Sequence, residues 1–202
     1  TTLFRSMLES LSGHLTTMLN ARQLDLAVLF DSPIRASQNL QSARRWSVWP
    51  LLQEDLFFIA ARVPGRARPN ATIKMAQLQP ERLILPTGPH GLRSTLDAAF
   101  ARAGVTPQVV LEIDSLAMLM EAVDAGLGTT LQPWSAVARF DDAALRFDMA
   151  RITDEQVQRV NLLCGLSDDE LSPAALAARV VLSDCVKQLV QSGQWTGARL
   201  ST

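Results

Sequence analysis

Two short turns hold the groups in this sequence best suited to chemistry, and that chemistry is the binding of a small anion. Ser10-Leu11-Ser12-Gly13-His14 opens one predicted helix, and Pro86-Thr87-Gly88-Pro89-His90-Gly91 opens another; each holds one of the chain's two histidines. The first turn of a helix leaves backbone N–H groups without intrahelical partners and carries partial positive charge, so a carboxylate, sulfonate or phosphate is stabilised there. Glycine permits close backbone approach, and hydroxyl or imidazole groups complete the coordination. Gln132 and Pro133 end a later strand, and Trp134 follows them with an indole able to stack on a ligand. Taken singly, each turn is a capped helix start with a histidine at a solvated rim. The recurrence of the arrangement in two halves of the chain points to a ligand cleft between them.

Other chemistry finds little support. A metal site wants three or four ligands, and no third histidine or local carboxylate cluster joins the two present, so no metal is expected. Ser12, His90 and Asp31 could be assembled into a triad on paper, but no nucleophile-elbow sequence accompanies them. Neither glycine turn matches a phosphate loop or a dinucleotide fingerprint, so no cofactor and no enzymatic activity are expected. Glu54-Asp55, Asp141-Asp142 and Asp168-Asp169-Glu170 read as solvated loop residues. Cys164 and Cys185 read as small buried hydrophobes in a reduced, cytoplasmic chain.

The elements that must position these turns follow from periodicity. The chain has 202 residues, 48% of them hydrophobic, which is enough for a sizeable core in one domain or two small lobes. Nineteen basic against 20 acidic residues give no electrostatic case for gripping DNA or a lipid surface. No signal peptide and no membrane-spanning apolar run are visible. Leu3–Leu8 suggests an edge strand, and Ser12 an N-cap for a helix reaching about Arg22. The apolar run Leu24–Phe30 suits a strand buried on both faces, closed by the turn Asp31-Ser32-Pro33. Ala36–Arg45 reads as a surface excursion, and Trp46–Leu52 and Asp55–Ala61 as two extended runs. The charged, Pro- and Gly-bearing stretch from Arg62 to Asn70 marks a lobe boundary. Strand Arg82–Leu85, helix Leu92–Ala103, strand Gln108–Ile113, helix Leu116–Ala125 and strand Thr129–Pro133 then form an α/β unit. Gly104 ends its first helix, and the Gly126-Leu127-Gly128 stretch ends its second. Phe140–Glu155 has no clear pattern, Gln158–Gly165 reads as a last strand, and Ser172-Pro173 starts a helix to about Gln191.

Seven segments in series resemble one family. They are Leu24-Asp25-Leu26-Ala27-Val28, Pro50-Leu51-Leu52-Gln53-Glu54-Asp55-Leu56, His90-Gly91-Leu92-Arg93, Ala103-Gly104-Val105-Thr106-Pro107, Glu112-Ile113-Asp114-Ser115, Ala125-Gly126-Leu127-Gly128 and Leu171-Ser172-Pro173-Ala174-Ala175. Their order makes residues 9–195 similar to the effector-binding domain of LysR-type transcriptional regulators. The resemblance implies an α/β fold of two Rossmann-like lobes joined by crossover strands, like type 2 periplasmic binding proteins. Lobe I would hold residues 1–61 and 164–202, and lobe II residues 62–163. The family's cleft, carried over turn by turn, falls on Ser12, Gly13 and His14, and on Pro86, Thr87, Gly88 and His90, with Gln132 and Pro133 at its inner end. The implied effector is a small organic acid, and the implied assembly a homodimer or homotetramer. DNA would be reached only through a winged helix-turn-helix that this sequence does not contain. The family's first strand and helix are not found ahead of Leu3, so lobe I is expected to be incomplete or to borrow pairing from a neighbour.

The leading expectation is therefore a ligand-sensing regulatory domain that couples its effector to oligomer geometry. The alternative is a solute-binding protein of a transporter with the same fold; an enzyme on this scaffold would have only the two histidines as acid–base groups. If His14 and His90 both face the cleft, anion binding strengthens as pH falls through the histidine range.

Overall fold

One long strand ties the two halves together. In the computed structural model of this protein, the described residues are 6–31, 46–63, 71–88 and 91–201. Helix α1 (Ser12–Asn20) precedes strand β1 (Leu26–Asp31) and the 15-residue β2 (Ser47–Ala61). Next come β3 (Thr72–Ile73), β4 (Arg82–Leu85), α2 (Leu92–Ala103), β5 (Gln108–Glu112), α3 (Leu116–Asp124) and β6 (Thr130–Pro133). The chain continues through α4 (Ala143–Arg146), β7 (Phe147–Ile152), β8 (Gln158–Gly165), α5 (Pro173–Gln191) and β9 (Ala198–Leu200).

The two extended runs expected at Trp46–Leu52 and Asp55–Ala61 are thus a single strand, whose register against β8 shifts between Pro50 and Leu52. Its first half pairs with β8 and β9, and its second half with β6 and β7. β1 pairs with β8 along its whole length, from Leu26 opposite Gly165 to Asp31 opposite Val160. β8 therefore belongs to the lobe I sheet. The bound placed between residues 163 and 164 falls inside this strand.

Lobe II is wound on both faces, as alternation along its strands requires. Leu56 and Phe58 of β2 and Leu83 and Leu85 of β4 pack with Leu92, Leu96, Ala99 and Phe100 of α2. The intervening Phe57, Ile59 and Ile84 turn the other way, onto Leu119, Met120 and Val123 of α3. β4 and β5 are parallel, and a parallel bridge from Leu83 to Thr129 joins β4 to the start of β6. Gly128 is required at that junction: a Cβ there would lie 2.7 Å from the Arg82 carbonyl oxygen. Lobe I repeats the scheme. Ala27 and Leu29 face Leu15 and Leu19 of α1, while Leu26 and Val28 face Val186 and Val190 of α5. Each fully buried side chain of this size contributes about 1.5–3 kcal/mol, so these stripes hold the layers together.

Helix ends obey their local chemistry. Gly104 sits in the left-handed region at φ 65° after α2. The Ser115 hydroxyl accepts the Met118 N–H, and the Ser172 hydroxyl accepts the Ala175 N–H ahead of Pro173. Leu3–Arg5 of the expected edge strand lie outside the described residues, and residues 6–8 form no strand. The stretch Phe140–Glu155 contains α4 and the buried β7, which pairs with β2 and buries Asp148 in an ion pair with Arg62 at 2.6 Å. Glu54 is no loop residue but a buried member of β2. Ser32, Pro33, the excursion Ala36–Arg45 and residues 64–70 of the expected boundary lie outside the described residues.

Candidate functional site

Lobe I presents its turn at the start of α1, whose inner residues Leu15 and Leu19 are buried. The N-cap is Leu11 rather than Ser12; Ser12 is the first helical residue. Its hydroxyl is turned to the neighbouring strand, where it accepts the N–H of Phe30 at 3.1 Å. That bond ties the start of α1 to the carboxyl end of β1. Gly13 is half-buried beside it, and His14 is exposed, with Nδ1 2.9 Å from the Ser10 hydroxyl.

In lobe II, the buried residues Leu83-Ile84-Leu85 of β4 deliver Pro86, Thr87 and Gly88 to the carboxyl ends of the parallel strands. In open α/β sheets ligands bind at such ends. Thr87 is committed to a partner: its N–H and its hydroxyl both donate to the Asp114 carboxylate at 2.8 Å. The turn is held from behind by Arg93 of α2, whose Nη1 donates to the Pro86 carbonyl at 2.9 Å and to Glu112 at 2.6 Å. Glu112 and then Asp97 raise the pKa of this guanidinium against the opposing effect of burial, so its charge is fixed. Gly88, at φ 78°, takes a backbone conformation suited to glycine. Pro89 and His90 lie outside the described residues.

The two turns meet. A Cβ added to Gly91, at the N-cap of α2, would lie 3.9 Å from the Ser12 Oγ, so the two helix starts face each other across the junction of the lobes. Gln132 and Pro133 are buried on β6, opposite Phe57 and Leu56 of β2. Trp134 is placed differently: it packs against the α3 side of lobe II and lines a cavity of about 460 Å³ with Phe140, Phe147 and Met149.

Sequence reasoning missed a polar cluster at the crossing between lobes. Glu54 of β2, 1% exposed, accepts from Arg159 Nε at 2.6 Å, Trp195 Nε1 at 2.9 Å and the Ser135 hydroxyl at 3.2 Å. These donors come from β8, from the segment before β9, and from the turn after β6. The only sequence signal was a carboxylate set between two apolar extended runs only two residues apart, where a buried charge persists only if paired. Asp114 was read as a helix cap, and its role in holding Thr87 had no signature.

Among the described residues no group of three or more His, Cys, Asp or Glu side chains could hold a metal ion. Among the described residues, no helix is long and apolar enough to cross a membrane. Neither Cys164 nor Cys185 is in a disulfide.

A family model described as the LysR substrate binding domain matches residues 6–184. The nitrogen assimilation regulatory protein nac of Escherichia coli (strain K12) is 30% identical over 190 residues, covering 93% of this chain and 57% of the relative. The HTH-type transcriptional regulator BbuR of Bordetella bronchiseptica is 29% identical over 192 residues, covering 95% of this chain and 56% of the relative. The chain thus spans little more than half the length of these relatives. Among solved structures, the CcmR regulatory domain of Synechocystis PCC6803 in complex with 2-PG superposes with a TM-score of 0.71 at 19% identity, covering 88% of this chain and 81% of that one. The effector binding domain of QuiR in complex with shikimate gives 0.70 at 17% identity, with 91% and 81% covered.

Proposed function

This chain belongs to the LysR substrate-binding-domain family, and on that premise we propose that it senses a small organic anion in the cleft between its lobes. It is the effector-binding domain of a LysR-type regulator, with the type 2 periplasmic-binding-protein-like fold. Its relatives are transcriptional regulators, which leaves no ground for an enzyme or for a transporter component. The observation that carries the ligand reading is the meeting of two helix starts, at Ser12 and Gly91, across the lobe junction. Their free N–H groups and partial positive charge converge on one place. Ser12, Gly13 and His14 would supply one wall, and Pro86, Thr87 and Gly88 the other, with Gln132 and Pro133 behind; His90, expected beside Gly88, lies outside the described residues. Two structural neighbours hold 2-PG and shikimate, which supports a small acid here.

Occupancy would favour one lobe arrangement over another and so shift the geometry of an oligomer. The exposed Val181, Leu182 and Leu189, on one side of α5, would supply an apolar face for a homodimer or homotetramer. DNA binding would reside in a further winged helix-turn-helix, and the protein would work in the cytoplasm, where the DNA is.

A thermal-shift screen with small aromatic and aliphatic carboxylates tests this reading. A ligand that binds only the native state stabilises it by about 2.7 kcal/mol at a hundredfold excess over Kd. A stabilising acid whose effect is lost in Ser12→Ala and Thr87→Ala is the expected result. A hit that keeps its full effect in both variants overturns the site.

A further inference from the structure

Resting on the ligand reading above, we propose that Arg159 and Asn161 form the recognition pair of the cleft floor, taking a carboxylate that carries a neighbouring hydroxyl or ammonium donor. Arg159 stands at the start of β8, where the lobes cross, between Phe30 at the carboxyl end of β1 and the Glu54 cluster. Its side chain is only 12% exposed. Nε is committed to Glu54, but among the described residues neither η nitrogen has a hydrogen-bond partner. The guanidinium carbon lies 4.0 Å from the centroid of the Phe30 ring, a cation–π contact that holds the head group over the ring. Glu54 shares its charge among three donors, Arg159, Trp195 and Ser135, so the outer edge of the arginine keeps much of its positive potential.

Asn161 is the second, independent sign. It lies two residues further along β8 and therefore on the same face, directly opposite Phe30 in the strand pairing. The residue is 4% exposed, and its Oδ1 is buried without a hydrogen-bond partner. A buried acceptor left unsatisfied costs about 1–3 kcal/mol, and each such group asks for a donor. A planar fork whose Nη1/Nη2 edge is free, beside an orphaned acceptor, matches a carboxylate bonded bidentately, with a hydroxyl or ammonium hydrogen on the adjacent carbon. The Phe30 N–H also bonds the Ser12 hydroxyl, so one residue of β1 links this pair to the lobe I turn.

The test is a nitrogen-detected NMR titration of the arginine and asparagine side chains of this chain, using acetate, glycolate and acetamide at constant ionic strength. The Arg159 η signals are expected to move with acetate and glycolate but not with acetamide. The Asn161 side-chain signal is expected to move with glycolate alone, and glycolate to bind at least threefold more tightly than acetate. In Arg159→Lys, which keeps a cation beside Glu54, glycolate affinity should fall at least fivefold. Arg159 signals that respond no more than those of the exposed Arg22 and Arg102, or that respond equally to acetamide, overturn the proposal. An Asn161 signal indifferent to glycolate overturns the pairing. If a screened acid binds the Ser12 and Thr87 turns while Arg159 stays silent, this proposal fails and the ligand reading stands; an acid that moves Arg159 while both turns stay silent overturns the ligand reading and, with it, the cleft-floor assignment that rests on it.

Discussion

Thr87 donates both its N–H and its hydroxyl to Asp114 at 2.8 Å, so the lobe II turn already holds a carboxylate of its own. An incoming anion must displace that carboxylate or bind beside it against like-charge repulsion. Asp114→Asn removes the charge while keeping an acceptor. We predict a severalfold gain in affinity for any acid found by screening, measured by calorimetric titration. An unchanged or weaker affinity would show that Asp114 organises the turn rather than competing for it.

The buried pair of Arg159 and Glu54 makes a second prediction. Breaking a buried ion pair by removing one partner costs about 3–5 kcal/mol, whereas replacing both with apolar residues is often close to neutral. Glu54→Ala alone should therefore lower stability by roughly that amount, because Arg159 is left without its acceptor. The double variant Glu54→Met with Arg159→Met should recover most of it. Urea denaturation of the three proteins checks this; equal losses in the single and double variants would contradict it.

Gly128 and Gly126 separate two reasons for glycine. At Gly128 a Cβ would meet the Arg82 carbonyl at 2.7 Å and Ile84 Cγ1 at 2.9 Å, so backbone must move. Gly126, at φ 72°, has open space around it and only its backbone conformation to protect. Gly128→Ala should cost about 1–3 kcal/mol through overpacking between β4 and β6. Gly126→Ala should cost about 1 kcal/mol through conformation alone. Thermal denaturation of both variants gives the comparison, and a reversed order would refute the packing argument.

A pH dependence follows from the turn before α5. The Ser167 hydroxyl donates to Glu170 at 2.7 Å and, with Arg22, lowers the pKa of that carboxyl; Ser167 also lowers that of Asp169. Groups whose pKa is depressed by folding contribute stability above the ordinary carboxylate range and lose it as pH falls through their folded values. Ser167→Ala should move the Glu170 titration toward higher pH, followed by carboxyl carbon NMR. A curve that does not move would show that the hydroxyl is not the main cause.

The sequence exposed helices better than strands. α2, α3 and α5 were legible because apolar stripes, serine caps and the Gly104 stop all agree on them. β7 was not, because its buried Asp148 breaks the apolar signal and is tolerated only through Arg62, 86 residues away in sequence. The same holds at the site. The Ser12 and Thr87 turns could be found from local chemistry, yet Asp114, Arg159 and Asn161 acquire their roles only from strand pairing across long separations. Trp134 illustrates the converse: its place after Gln132-Pro133 suggested a cleft wall, but its ring packs into lobe II beside Phe140.

The central claim is that one small acid is held jointly by the turns of both lobes. Backbone amide NMR perturbation by a screened acid tests this most directly. The account predicts that Gly13 and His14 and, at the same ligand concentration, Thr87 and Gly88 shift together with a single binding constant. Perturbation confined to one lobe, or centred on the cavity lined by Trp134, Phe140 and Phe147, would contradict it.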